Sequence, residues 1–243
     1  MKKNSDARWD DFDPESYFKH NYDELRYDDR FILRTVRDYF AKAVPPGRLR
    51  GVDVGTGSNL YPALALLPWC DQLTLVDHSA RNIAWLEKEV KKYGPAWDVY
   101  WDELVRAAPW REVDSPRDRL AKISQIRQGN VFDLPRAQWE IGTMFFVACS
   151  LSTDHNEFKR AVHSFLNALR PGAPFAMAYM ENSEGYEVNG HPYPAVPIGV
   201  DDVHLALTER DAYDIKIDRI NSNHLRAGYT GMMVAVGRTG DPD

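Results

Sequence analysis

Apolar residues recur along the chain in two rhythms. Phe31, Ile32, Thr35, Val36, Tyr39, Phe40 and Ala43 follow helical spacing and give one apolar face. Asp28 and Asp29 sit at the head of that helix, where its dipole favours negative charge. Pro45-Pro46-Gly47 stops it. "LRGVDVGTG" is then a short buried run ending in glycines, a strand followed by a tight turn, and "DQLTLVD" is a second strand. "HSARNIAWLEKEVKKYG" predicts a helix with Ser79 as N-cap, Glu87 and Lys91 as an i,i+4 pair and Gly94 at its end.

Residues 95–120 break the rhythm. The stretch is rich in Trp, Asp, Arg and Pro, and predicts a partly helical insertion. "KISQIRQGNVFD" resumes the strand pattern, and "EIGTMFFVACS" suits a central strand. In "DHNEFKRAVHSFLNALRPG", Asp154 and Glu157 have capping-box spacing ahead of a stripe of Phe158, Val162, Phe165 and Leu169. "APFAMAYM" is the next strand. Asn189-Gly190, between Val188 and His191, is a two-residue hairpin signal within 184–198. A helix from about Asp201 to Arg210 and the strands "AYDIKIDRIN" and "GMMVAVGR" complete the chain.

Strands alternating with helices imply crossover connections and a mainly parallel α/β sheet covered on both faces. The last two strands share a short link, so one of them is expected to be antiparallel. Ligands of such open sheets bind at the carboxyl ends of the strands. The 243 residues suit a single domain, 1–243, with an insertion or cap.

Composition narrows the function. Lys and Arg total 30 against 36 Asp and Glu, a net charge of −6, which argues against a nucleic-acid partner. No apolar run reaches membrane-spanning length, and "MKKNSDARWDDFD" lacks a signal peptide's apolar core. Cys70 and Cys149 form no metal or redox motif. The expectation is a cytoplasmic, metal-free protein with no membrane partner.

The chemistry centres on "GVDVGTGSNLYP". Gly55 and Gly57 allow a sharp turn and a close approach to a ligand. A dinucleotide fingerprint needs a third glycine where Leu60 stands, and no P-loop lysine follows. Asp77, ending the second strand, could accept both hydroxyls of a ribose, or simply cap the following helix. Asn130-Val131 could present an amide and an N–H to an adenine edge, or be an ordinary turn. S-adenosylmethionine is an adenosine cofactor without a pyrophosphate, and suits the incomplete glycine pattern.

The order "SYFKHNY", "DVGTGSNLY", "VDHSARN", "AWDVYWDEL", "GNVFD", "ALRPGAPF", "YPAVPIG" resembles the class I methyltransferases that include nicotinamide, phenylethanolamine and thioether (indolethylamine) N-methyltransferases, over about residues 15–238. The resemblance implies a doubly wound, mainly parallel seven-stranded sheet. It also implies an N-terminal helical cap over 1–46 and a hairpin lid over 184–198. For the cofactor it implies Tyr17 and Tyr22 closing over the methionine end, Gly55, Thr56 and Gly57 beneath it, and Tyr61 a few residues on. Asp77 corresponds to the ribose carboxylate, with His78 and Asn82 beside it, and Asn130 and Val131 to the adenine pair. Where nicotinamide methyltransferases have an aspartate, this chain has Tyr179, with Glu181 two residues on, and Asn21 precedes Tyr22. Both departures count against nicotinamide and phenylethanolamine as acceptors.

The expected activity is methyl transfer from S-adenosylmethionine to the nitrogen of a small aromatic or indolic amine, by a monomer or weak homodimer. Glu181 is expected to bind the ammonium and take its proton. Tyr179 is expected to hydrogen-bond an acceptor hydroxyl or indole N–H, or to line an aromatic slot. Phe18, Tyr186 and Tyr193 are further candidates for that slot, with cross-strand packing the alternative role of Tyr186 and Tyr193. Methylation of an activated ring carbon, an NAD(P)-dependent oxidoreductase and an inactive cofactor-binding protein are the alternatives.

Overall fold

A computed structural model of the protein describes residues 2–45, 47–222, 225 and 228–240. Pro46, among the residues expected to end the first long helix and the last of the expected cap, lies outside the described residues, as do residues 1 and 241–243 of the expected single domain. Helices α1 (Pro14–Asn21) and α2 (Tyr27–Ala43) precede strand β1 (Leu49–Val54), helix α3 (Tyr61–Leu66) and strand β2 (Cys70–Asp77). There follow α4 (Ala80–Glu89), α5 (Asp98–Leu104), α6 (Ala108–Arg111), α7 (Pro116–Ile123), β3 (Ser124–Gln128) and β4 (Ile141–Phe145). The chain continues through α8 (His155–Ala168), β5 (Pro174–Glu181), β6 (Gly185–Val188), β7 (His191–Pro194), α9 (Val200–Thr208), β8 (Tyr213–Asn221) and β9 (Gly231–Arg238).

Seven strands form one sheet in the order β3-β2-β1-β4-β5-β9-β8. Neighbours from β3 to β5 pair in parallel, and β9 runs antiparallel to both β5 and β8. β4 and β5 are buried on both faces, which is why they read as unbroken apolar runs rather than alternating ones. The order reverses between β1 and β4, so a ligand crevice opens at their carboxyl ends.

Local chemistry sets the element ends. The Ser79 hydroxyl accepts the Asn82 N–H at the head of α4, and the Asp154 carboxylate accepts the Asn156 N–H at the head of α8. Asn189 and Gly190 both have positive φ, 47° and 78°, as a type I′ turn requires, and join β6 to β7.

Three local expectations change. Gly94 does not close α4: the helix stops at Glu89, whose carboxylate folds back onto the Gly94 N–H (2.7 Å) and the Trp97 indole N–H (3.0 Å). Lys91 therefore lies beyond α4 and cannot pair with Glu87 along it. Glu157 does not complete a capping box, because its carboxylate accepts the Asn4 N–H at 2.8 Å. The insertion is helical through most of its length, and its Trp97, Tyr100 and Trp110 are fully buried. Trp110 meets Trp69 edge-on with centroids 4.9 Å apart, so this segment belongs to the main core.

The roof of the crevice is also narrower than 1–46. α2 buries Ile32, Leu33, Val36 and Phe40 in the main core, leaving residues 2–21 to reach over the strand ends. Among the described residues no helix is long and apolar enough to cross a membrane.

Trp110→Ala is expected to cost about 3–5 kcal/mol, because a fully buried indole leaves a cavity that the helices around it cannot close. Urea unfolding checks it: the midpoint should fall with the slope unchanged. A surface-sized effect would mean that the insertion packs outside the core.

Candidate functional site

β1 ends at Val54 and passes into a turn with Gly55 (φ 67°) and Gly57 (φ 54°), both left-handed. A Cβ on Gly55 would stand 2.2 Å from Val147 Cγ2, so this glycine is required by space as well as by backbone. The turn is held down by Asp77 at the end of β2. One carboxylate oxygen accepts the Gly57 N–H at 2.8 Å; the other accepts the Ser79 N–H at 2.9 Å and the Asn82 side-chain N–H at 3.0 Å. Burial still pushes the Asp77 carboxyl above its usual range, against the pull of those donors.

A cleft of about 850 Å³, open mouth included, lies over this edge. Of the residues singled out in the sequence, Tyr17, Tyr22, Gly55, Thr56, Gly57, Asp77, His78, Asn82, Asn130, Val131 and Tyr186 line it. The Thr56 hydroxyl donates to the Asp53 carbonyl, and the Asn130 amide oxygen accepts the Phe132 N–H, which aligns the segment after β3 along the wall. Ser58 Oγ and Asn82 Oδ1, both on lining residues, are buried without a hydrogen-bond partner. Unsatisfied polar atoms of this kind suit a polar ligand.

The other five expected residues lie elsewhere. Tyr61 is fully buried, stacked on Tyr100 at 5.4 Å, and donates its hydroxyl to Asp29 at 3.1 Å. It supports Tyr22 from behind instead of facing the cleft. Phe18, next to Tyr17 on α1, packs on Trp85 and Trp97 instead of lining the cleft. Tyr179 is fully buried, its ring against Phe158 of α8 and its hydroxyl on the Met177 sulfur. β5 turns it to the helix-covered face. Glu181 is held by Arg219 of β8 and by the Thr230 hydroxyl, and Arg219 keeps its carboxyl below the usual range. A carboxylate so neutralised cannot serve a ligand in the cleft. Tyr193 stacks on Trp9 and Tyr186 and forms a second layer behind the lining.

Several lining residues gave no signal in the sequence. Asn4, Trp9 and Phe12 roof the cleft. Their segment is tied down by Lys2 N–H to Thr153 Oγ1 (2.7 Å), by the Ala80 N–H to Asp10 (2.9 Å) and by Asn189 of the hairpin to Asp13 (3.1 Å). Phe146 follows β4 with φ 60°, an uncommon conformation for an aromatic residue, and turns the chain under the cleft. A second, much smaller chamber of about 340 Å³, open space included, adjoins the first and shares Tyr17, Tyr22, Phe146, Ser150 and Tyr186 with it. Its further walls are Asn21, Arg26, Asp29, Met180, Leu225 and Met232. The paired aspartates, read in the sequence as charges at the head of α2, are both buried.

The model of the NNMT/PNMT/TEMT family matches residues 2–239. The chain belongs to that family. It is 23% identical over 223 residues to the phenylethanolamine N-methyltransferase of Mus musculus, covering 81% of this chain and 72% of the relative. It is 23% identical over 171 residues to the nicotinamide N-methyltransferase of Homo sapiens, covering 65% of this chain and 64% of the human protein. Among solved structures, the DhpI–SAH complex superposes with a TM-score of 0.57 at 15% identity, over 93% of this chain and 91% of that one. The N-methyltransferase NodS from Bradyrhizobium japonicum WM9, in complex with S-adenosyl-L-homocysteine, gives a TM-score of 0.52 at 13% identity, over 92% and 98%. The fold is that of the class I S-adenosylmethionine-dependent methyltransferases. As a family member the protein is a methyltransferase using S-adenosylmethionine, and the cleft's glycine turn, edge carboxylate and unsatisfied polar atoms fit that cofactor.

Two outcomes follow for the site. Asp77→Ala is expected to weaken S-adenosylhomocysteine binding roughly 100-fold, since it removes a charged acceptor and releases the glycine turn; calorimetry reads the change, and an unaltered affinity would exclude Asp77 from the site. Burial pushes Asp29 and Asp53 up to about 7 from 3.8 in the unfolded chain. A folded state that keeps protons the unfolded chain has lost becomes less stable as pH rises from about 4 to 7. His163, depressed by burial, opposes this with a single group. The melting temperature should therefore be lower at pH 7.5 than at pH 5.5, with a smaller difference in Asp53→Asn.

Proposed function

We propose that this methyltransferase transfers its methyl group to the nitrogen of a small aromatic or indolic amine, by in-line displacement. The observation that carries the reading is the second chamber, which shares the aromatic residues Tyr17, Tyr22 and Tyr186 with the cleft. Met180, Met232 and Leu225 give it apolar walls, and a buried carboxylate at one side suits the head of a basic nitrogen.

Within that reading, Gly55, Thr56 and Gly57 form the bed for the methionine end. Asp77 holds the ribose, with His78 and Asn82 beside it, and Asn130 and Val131 take the adenine. When bound, S-adenosylmethionine supplies an electrophilic methyl group on a sulfonium. The chain's own contribution is mainly positional. Holding a nucleophile in near-attack geometry is worth roughly 7–11 kcal/mol, enough to need no strong catalytic base. Tyr17, Tyr22 and Tyr186, packed edge-on with centroids 5.9 and 6.3 Å apart, narrow the passage between chambers and exclude water from it. An amine must be neutral to attack, so a proton acceptor near its nitrogen raises the reactive fraction.

The test is incubation with methyl-labelled S-adenosylmethionine and a panel of tryptamine, 2-phenylethylamine, aniline and matched phenols, followed by mass spectrometry. Label is expected on amine nitrogen. Label only on phenol oxygen or on an indole ring carbon would overturn the nitrogen assignment. Tyr186→Ala should lower kcat at least tenfold by admitting water and loosening the aromatic packing, with S-adenosylhomocysteine affinity changed less.

A further inference from the structure

The second chamber contains a carboxylate that the functional reading above does not assign to a residue. Asp29, in the first turn of α2, is 1% exposed and lies in the chamber wall. One oxygen accepts the Tyr61 hydroxyl at 3.1 Å, and the other the Arg26 guanidinium at 3.3 Å. An ionised carboxylate has about four acceptor positions, so two partners leave room for more. Asp28, also buried, lies against the same arginine at 3.7 Å and accepts the Ser222 hydroxyl. Two carboxylates thus share Arg26. Ionised, the group carries one negative charge more than its partners among the described residues neutralise. Among the described residues, the other groups that face Asp29 are the neutral phenols of Tyr61 on α3, Tyr22 after α1 and Tyr100 on α5. None of these supplies a compensating cation.

Uncompensated charge in a buried chamber is costly unless a cation completes it. A protonated amine is the cation that a methyl acceptor would bring. Glu181, the acid suggested by the sequence, is consumed by Arg219 on the other side of the sheet.

We propose that Asp29 binds the acceptor's ammonium in the second chamber and takes its proton, so that the chamber selects amines over neutral ring compounds. This rests on the amine reading given under the proposed function. The step balances: an N–H bond of the ammonium breaks, the proton passes to an Asp29 oxygen, and a neutral amine and a neutral carboxylic acid remain. The lone pair left on nitrogen is the nucleophile. Burial, with Asp28 adding to it, already holds the Asp29 carboxyl near 7, within reach of this exchange at neutral pH.

The probe pair is 2-phenylethylamine and 2-phenylethanol, titrated calorimetrically into protein saturated with S-adenosylhomocysteine, in two buffers of different ionisation enthalpy. At pH 7 the amine should bind with net proton release, because the ammonium draws Asp29 into its charged form. The alcohol should bind more weakly and without proton exchange. In Asp29→Asn the amine should lose roughly 10- to 100-fold in affinity and the proton signal should vanish, with the alcohol unchanged. Equal loss for amine and alcohol, or amine binding that survives the change, would overturn the role of Asp29 and leave the amine reading standing. Protein that binds S-adenosylhomocysteine but neither probe would overturn the amine reading itself. If Asp29→Asn does not fold, carbon NMR of the wild-type carboxyl decides: its titration midpoint near 7 should fall when 2-phenylethylamine is added, and an unmoved midpoint would refute the contact.

Discussion

The Asp77 carboxylate gathers three N–H groups from three different positions, the turn after β1, the approach to α4 and the first turn of α4 itself. Remove it and the left-handed glycine turn loses its only side-chain tether to the neighbouring strand among the described residues. Val147 stands where a Cβ on Gly55 would be, so the turn admits no side chain there. It lies between β4's continuation and the end of β2. Burial raises the Asp77 carboxyl, and its donors pull it back down. Geometry and electrostatics at this edge are one problem with one solution.

The rest of the molecule supplies enclosure. Residues 2–13 carry little core of their own, and hold their position through hydrogen bonds to α8, α4 and the hairpin. Trp9, Phe12, Tyr193 and Tyr186 stack into a continuous aromatic layer above the cleft. A roof built on a few hydrogen bonds and stacked rings can open at modest cost, as entry and release of a buried ligand require. The second chamber contrasts with it. There Asp28, Asp29, Arg26, Tyr61 and Tyr100 lie under the protein's core helices, and burial raises both Asp29 and Tyr100.

Local signals in the sequence were the readable ones. Ser79, Asp154 and the Asn189-Gly190 turn act on neighbours within three residues, so their roles show in the string itself. The alternation of elements made the mainly parallel sheet with one antiparallel strand legible too. What escaped depended on partners far along the chain. β5 is buried on both faces, so its apolar run could not say which side Tyr179 and Glu181 take, and Arg219 lies 38 residues from the glutamate it neutralises. Asp29 looked like a helix-head charge because that pattern is common; its burial is set by Tyr61 and Tyr100, on helices packed from elsewhere. Tyr17 and Phe18 are adjacent on a helix, and only the packing of Trp85 and Trp97 decides which of them turns away.

The central claim is that the glycine turn and the Asp77 edge form an S-adenosylmethionine site and not a dinucleotide cradle. Calorimetric titration of the purified protein with S-adenosylhomocysteine, and in parallel with NADH, tests it most directly. Saturable one-to-one binding of S-adenosylhomocysteine with no heat from NADH is the expected result. Binding of NADH alone, or of neither ligand, would contradict the account at its base.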